Sequence, residues 1–156
     1  MFPRMLWTFV LLCLALTAVR VAAEPAPTLR LADAQVIAAR AHAQARKLGR
    51  DISIVIVNRE GRVILSQRMD AASFLSLAVA EGKASTAAAI GVPTAVLEKG
   101  VDSGHPSILS APGAVVIAGG LPVRSGGALV GGVGVSGGAP QEDEAIVQAA
   151  LGSPDP

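Results

Sequence analysis

Asp51–Val57 (DISIVIV) is the stretch that most limits what this chain can fold into. It is dense in β-branched residues, which crowd a helix and suit a pleated strand. Asn58-Arg59-Glu60-Gly61 follows as a four-residue turn, and Arg62–Gln67 reads as the returning strand. A connection this short joins antiparallel neighbours, because parallel strands need a crossover of a dozen or more residues. Whatever else the chain forms must therefore add to an antiparallel hairpin.

Helical periodicity flanks that hairpin. From about Ala32 to Leu48, the residues Ala34, Ile37, Ala38, Ala41, Ala45 and Leu48 fall on one narrow stripe, with Asp33, Arg40, Gln44 and Lys47 opposite and Gly49 as a stop. A second helix is expected from a Ser76 cap to about Ile90, with Ala80, Ala84, Ala87 and Ala88 on its face, ended by Gly91-Val92-Pro93. Both stripes are made of small residues, so each helix can approach its partner closely. Thr94–Lys99 adds a helical turn or two. From Gly100 onward the chain holds thirteen of its seventeen glycines. There Ala114–Ala118 and Ala128–Val135 read as strands, Gly119–Val123 as a third, and Glu142–Leu151 as a closing helix. The order helix, hairpin, helix, strands, helix defines one α+β domain: a central antiparallel sheet with helices packed on it.

The N-terminus has the form of a secretory signal. Arg4 supplies positive charge, Leu6–Val19 is an apolar run of about 14 residues, and Val21-Ala22-Ala23 places small residues before Glu24. The run falls short of the ~20 residues a membrane-spanning helix needs. Cleavage after Ala23 is expected, giving a periplasmic or secreted protein with no stable membrane insertion. Residues 24–30 then form a Pro/Ala linker and residues 31–152 the domain. The lone Cys13 follows Leu12, where a lipoprotein cleavage site wants a small residue. The mature chain of 133 residues has 11 basic and 12 acidic side chains, no cysteine, no tryptophan and no tyrosine, and Phe74 is its one aromatic residue besides two histidines.

This composition excludes several chemistries. No thiol nucleophile, thiolate zinc site or iron–sulfur cluster can be built from the mature chain. The balanced charge and lack of tyrosine argue against nucleic acid as a partner. Gly132-Val133-Gly134-Val135-Ser136-Gly137 matches G-x-G-x-x-G, yet the dinucleotide fold needs a further parallel strand with an acid about 20 residues on, and the chain ends 19 residues later. A strand whose glycines let a neighbouring element reach its backbone is the better reading. Ser136 has no evident base, and Glu142-Asp143-Glu144 suits the first turn of the closing helix, where the dipole favours acids. Arg68 and Asp70 flank the second helix with Lys83 and suggest a surface ion pair. Met69 offers a thioether of the kind that ligates haem iron. His42 sits at the edge of the first helix's stripe, and His105 in the accessible loop Ser103-Gly104-His105-Pro106.

Taken in order, these residues resemble a known family. Arg68-Met69-Asp70, Ser76, Ala80-x-x-Lys83-Ala84-x-x-Ala87 and Pro93-Thr94 are similar to the central signature of the GlcG/HbpS-type haem-binding family. Gly119-Gly120-Leu121-Pro122-Val123, Gly131–Gly137 and Asp143 continue it, and Leu29-x-Leu31-Ala32-x-Ala34 looks like its first helix. The match spans about residues 28–151. The resemblance implies a profilin-like or roadblock-like fold with helices on both faces of the sheet. It also implies homo-oligomers, and tetrapyrroles as the recurring ligand class; some members are exported and bind haem, and some are described as haem-degrading. This chain departs from the pattern at Asn58, where the family commonly has Asp, at Gly82 inside the second helix, and in its shortage of aromatic residues.

The expectation is thus an exported, homo-oligomeric, haem-binding protein for binding, storage or sensing. Its rivals are a ligand-free accessory protein and, last, a haem-degrading enzyme, since no nucleophile–base pair is visible. Arg68 and Lys83, both within the matched signature, would serve as cations for the propionates. The iron ligand would come from His105, His42 or Met69, and His105 is preferred for its accessible loop.

Overall fold

The computed structural model describes residues 26–152. The expected signal segment, residues 1–23, lies outside them. The hairpin forms where the β-branched stretch places it: β1 (Ser53–Asn58) pairs antiparallel with β2 (Val63–Arg68). Its turn is closed by the Asn58 side chain, whose Oδ1 accepts the N–H groups of Glu60 and Arg62 at 3.2 and 2.8 Å. Gly61 takes the left-handed conformation that such a turn asks for. β4 (Ala128–Ser136) lies on the other side of β1, and β3 (Gly120–Ser125) closes the far edge, giving the order β2-β1-β4-β3 with every pair antiparallel.

Side chains alternate across this sheet and divide it into two faces. Ile54, Ile56, Val133 and Val135 point toward α1 (Leu31–Lys47) and α4 (Pro140–Leu151), where they pack with Ile37, Ala38, Ile146 and Val147. Val55 and Val57 point the other way, toward Ala80, Ala84 and Ala88 of α2 (Phe74–Ile90). Gly132 and Gly134 share that second face. A Cβ on either would run into a carbonyl oxygen of α2, from Ala84 and Ala80 respectively. The G-x-G-x-x-G segment is therefore a strand stripped of side chains so that a helix can lie on its backbone.

Three local expectations need correction. Ser76 is not the cap of α2. Ser73 is, accepting the Ser76 N–H at 3.2 Å, and the Ser76 hydroxyl donates to the Ser73 carbonyl at 2.6 Å. The one Ser76 hydroxyl proton being so engaged, its oxygen accepts from the buried Ser53 hydroxyl at 2.8 Å, which ties α2 to β1. Ala114–Ala118 is not a strand. It crosses α2 as irregular chain, with Val115 donating its N–H to Thr86 Oγ1 at 2.9 Å and seating its side chain where Gly82 has no Cβ. A glycine in mid-helix costs about 1 kcal/mol relative to alanine, and here it makes room for that crossing. Finally, the turn after Pro93 is a full helix, α3 (Thr94–Asp102). Thr94 Oγ1 donates to the Ile117 carbonyl at 2.7 Å and accepts the Gly120 N–H at 2.9 Å, fastening the crossing segment to the sheet edge.

Candidate functional site

Among the residues that the sequence singles out, His42, Arg68 and Met69 come together. The last turns of α1 and the end of β2 border an open cleft of about 530 Å³, lined by these three with Arg46, Asp51 and Asp70. The α1 periodicity turns Ala41 and Ala45 fully inward, which leaves His42 at the stripe's margin, facing the cleft. Its Nε2 is buried and has no hydrogen-bond partner among the described residues. Burial lowers the His42 pKa below its ordinary 6.5, and the nearby Arg46 cation lowers it further. The imidazole is thus held neutral near pH 7, with a ring nitrogen unpaired. A buried polar atom without a partner costs on the order of 1–3 kcal/mol, so its survival here calls for a reason.

Arg68 is held on three sides. Its Nη1 donates to the carbonyls of Asp70 and Ala72, and its guanidinium carbon lies 4.8 Å from the centre of the Phe74 ring. Met69 is half-buried against the core, and its sulfur accepts the Ile52 N–H at 3.4 Å. That weak bond turns the thioether toward the backbone at the start of β1.

Lys83 is elsewhere, and the surface pair expected with Arg68 and Asp70 does not form. Its side chain is 1% exposed, and its Nζ donates to Asp143 Oδ2 at 2.8 Å and to the Val135 carbonyl at 2.9 Å. Asp143 also accepts the Gly138 N–H at 2.9 Å. Burial pushes the Asp143 carboxyl up, opposed by its hydrogen bond to Lys83 and by the backbone donor. The pair crosses from α2 to the start of α4, past Gly119, where no side chain stands in the way. His105 stands apart from the cleft as well. It is exposed and precedes the short 3₁₀ segment Pro106–Ser110.

A second cleft of about 460 Å³ lies between α3 and α4, bordered by Glu98, Lys99, Asp102 and Glu144. Two of its carboxylates are already engaged, Glu98 accepting the Ala118 N–H and Glu144 the Gly119 N–H. Its acidic lining repels anionic ligands. No group of three or more His, Cys, Asp or Glu residues placed to hold a metal ion occurs among the described residues.

Sequence reasoning misses Arg46, which stands four residues after His42 and therefore on the same face of α1; that spacing is the available signal. It also misses the Lys83–Asp143 partnership, for which no local signal exists.

The architecture is that of a known class of single-domain α+β proteins. A double mutant of Streptomyces reticuli HbpS shares it at a TM-score of 0.77 and 33% identity, over 87% of this chain and 93% of that one. PduOC in its haem complex shares it at a TM-score of 0.73 and 30% identity, over 80% and 94%. Protein GlcG of Escherichia coli K12 is 31% identical over 103 residues, 66% of this chain and 77% of GlcG. Residues 29–152 match the family described as haem degrading protein HbpS-like, and the chain belongs to that family.

Proposed function

We propose that this protein binds haem at the cleft between α1 and the end of β2, for haem binding, storage or sensing, as an exported homo-oligomer. The observation that carries the reading is the buried, unpartnered Nε2 of His42 beside Arg68 and Met69. A neutral imidazole supplies an iron ligand once its ring turns the buried nitrogen into the cleft, and an anchored guanidinium suits a propionate. This favours His42 over His105 as the axial ligand, and Arg68 over Lys83 as the propionate's cation, because the Lys83 ammonium already faces Asp143 in the interior. The haem complex of PduOC supports the ligand class.

Homo-oligomerisation needs apolar surface that the fold leaves uncovered. The alanine and glycine surfaces of α2 and β4 are used up within the chain. The apolar residues left exposed include Leu31 and Val36 on α1, and these are what a second copy would cover. Export rests on the form of residues 1–23.

Titration of haem into the purified mature protein tests the reading. The expected result is a shifted Soret band that saturates at fixed stoichiometry. His42→Ala should lose or displace that band and weaken binding more than about tenfold, since even outer-shell changes at metal sites cost that much. His105→Ala should leave it in place. Free-haem spectra at every ratio would favour the ligand-free accessory role, and loss of the band in His105→Ala alone would move the site to the loop.

A further inference from the structure

Phe74 is the one aromatic residue of the described chain besides the two histidines, and it is 88% exposed. A large ring left in water at a helix start does nothing for the core. Its surroundings say what it contacts. Arg68, which lines the cleft, stacks on one face of the ring. The bonds of Arg68 to Asp70 and Ala72 run through Nη1, which leaves Nε and Nη2 for another acceptor. Leu75, the next residue of α2, is 71% exposed.

We infer that Phe74 and Arg68 act as one unit at the rim of the cleft, gripping a planar conjugated macrocycle that carries carboxylates. The open face of Phe74 takes the macrocycle's π surface, and Arg68 takes a carboxylate. The pinned guanidinium already lies against one face of the ring, so part of the contact is organised before the ligand arrives. Aromatic stacking prefers an offset or tilted arrangement, which a half-covered ring permits. This inference rests on the haem reading and names the residue that recognises the organic part of the ligand rather than its iron.

Two probes separate the parts: ferric haem, and metal-free protoporphyrin IX, which offers the same macrocycle and carboxylates without iron. Both are titrated into wild type, Phe74→Ala, Phe74→Leu and His42→Ala, with thermal melts as a check on folding, which an 88% exposed side chain should not disturb. Phe74→Ala should weaken both ligands about 5–10-fold, with Phe74→Leu between it and wild type. His42→Ala should displace the Soret band of haem yet leave protoporphyrin IX affinity within about twofold. If Phe74→Ala binds both macrocycles as wild type does, the inference is overturned while the haem reading stands. It is overturned in the same way if that variant keeps its affinity but changes sedimentation, since the ring would then be covered by another copy of the chain. If wild type saturates with neither probe, the haem reading itself fails.

Discussion

The two faces of the sheet are built on opposite plans. Toward α1 and α4 the sheet offers Ile54, Ile56, Val133 and Val135, and the contact is side chain against side chain. Toward α2 it offers Ser53, Val55, Val57, Gly120, Gly132 and Gly134, answered mainly by alanines, and the contact is nearly backbone against backbone. The first plan gains stability from apolar area and tolerates small changes of shape. The second leaves no slack: a few atoms too many and the helix cannot seat.

The sharpest way to break the comparison is to add atoms to the thin face. Gly134→Val would drive methyl groups into α2 at the Ala80 carbonyl, and the loss should exceed about 5 kcal/mol, the lower end of a domain's total stability. Removing atoms from the thick face is the counterpart: Ile56→Val should cost about 0.5–1.5 kcal/mol. Urea unfolding of both variants measures the contrast, and near-equal losses would show that the faces do not differ in kind.

A middle-sized effect is expected where the faces are tied together. Lys83→Met leaves Asp143 buried without its cation and should cost about 3–5 kcal/mol. Replacing both, as in Lys83→Met with Asp143→Leu, should recover much of that, because no charge is then stranded. If the double variant is no more stable than the single one, the pair does more than neutralise itself.

The smallest effect belongs to the cleft beside the thick face. The folded state holds the His42 pKa below its ordinary value, so the unfolded chain binds the proton first as pH falls. The contribution of His42 to stability is therefore whole above about pH 6.5 and declines as the solution is acidified below it. His42→Gln should flatten that part of the stability–pH curve, as read by thermal melts between pH 7.5 and about 5. An unchanged slope in the variant would assign the titration to another group.

What is legible in the sequence follows the same division. α1 is legible because its buried residues recur at helical spacing, and the hairpin because β-branched density and a four-residue turn are local signals. The glycines of β4 signal a close approach, and the close approach is there. Ala114–Ala118 misleads because its apolar residues answer to Gly82 and Thr86 on another element rather than to a sheet partner. Ser76 looks like a cap because serine suits that role, but Ser73, three residues earlier, suits it too. Within the site, His42, Arg68 and Met69 are each visible as chemistry. Their meeting is not, since it depends on how α1 lies over the end of β2. The link from Lys83 to Asp143 spans 60 residues and leaves no periodic trace.

The strand order has a consequence for how the molecule comes into being. β1 sits in the middle of the sheet, but one of its two neighbours, β4, lies about 80 residues further along the chain. Closing a loop of that length must come before the contacts that reward it, which is the circumstance that slows folding. During synthesis the β1–β2 hairpin can form early, yet a lone hairpin is at best marginally stable in water. Ile54 and Ile56 must wait for Val133 and Val135, so the nascent chain carries an apolar strand with an unpaired edge until most of its length exists. The last third of the sequence is therefore what commits the rest to its structure.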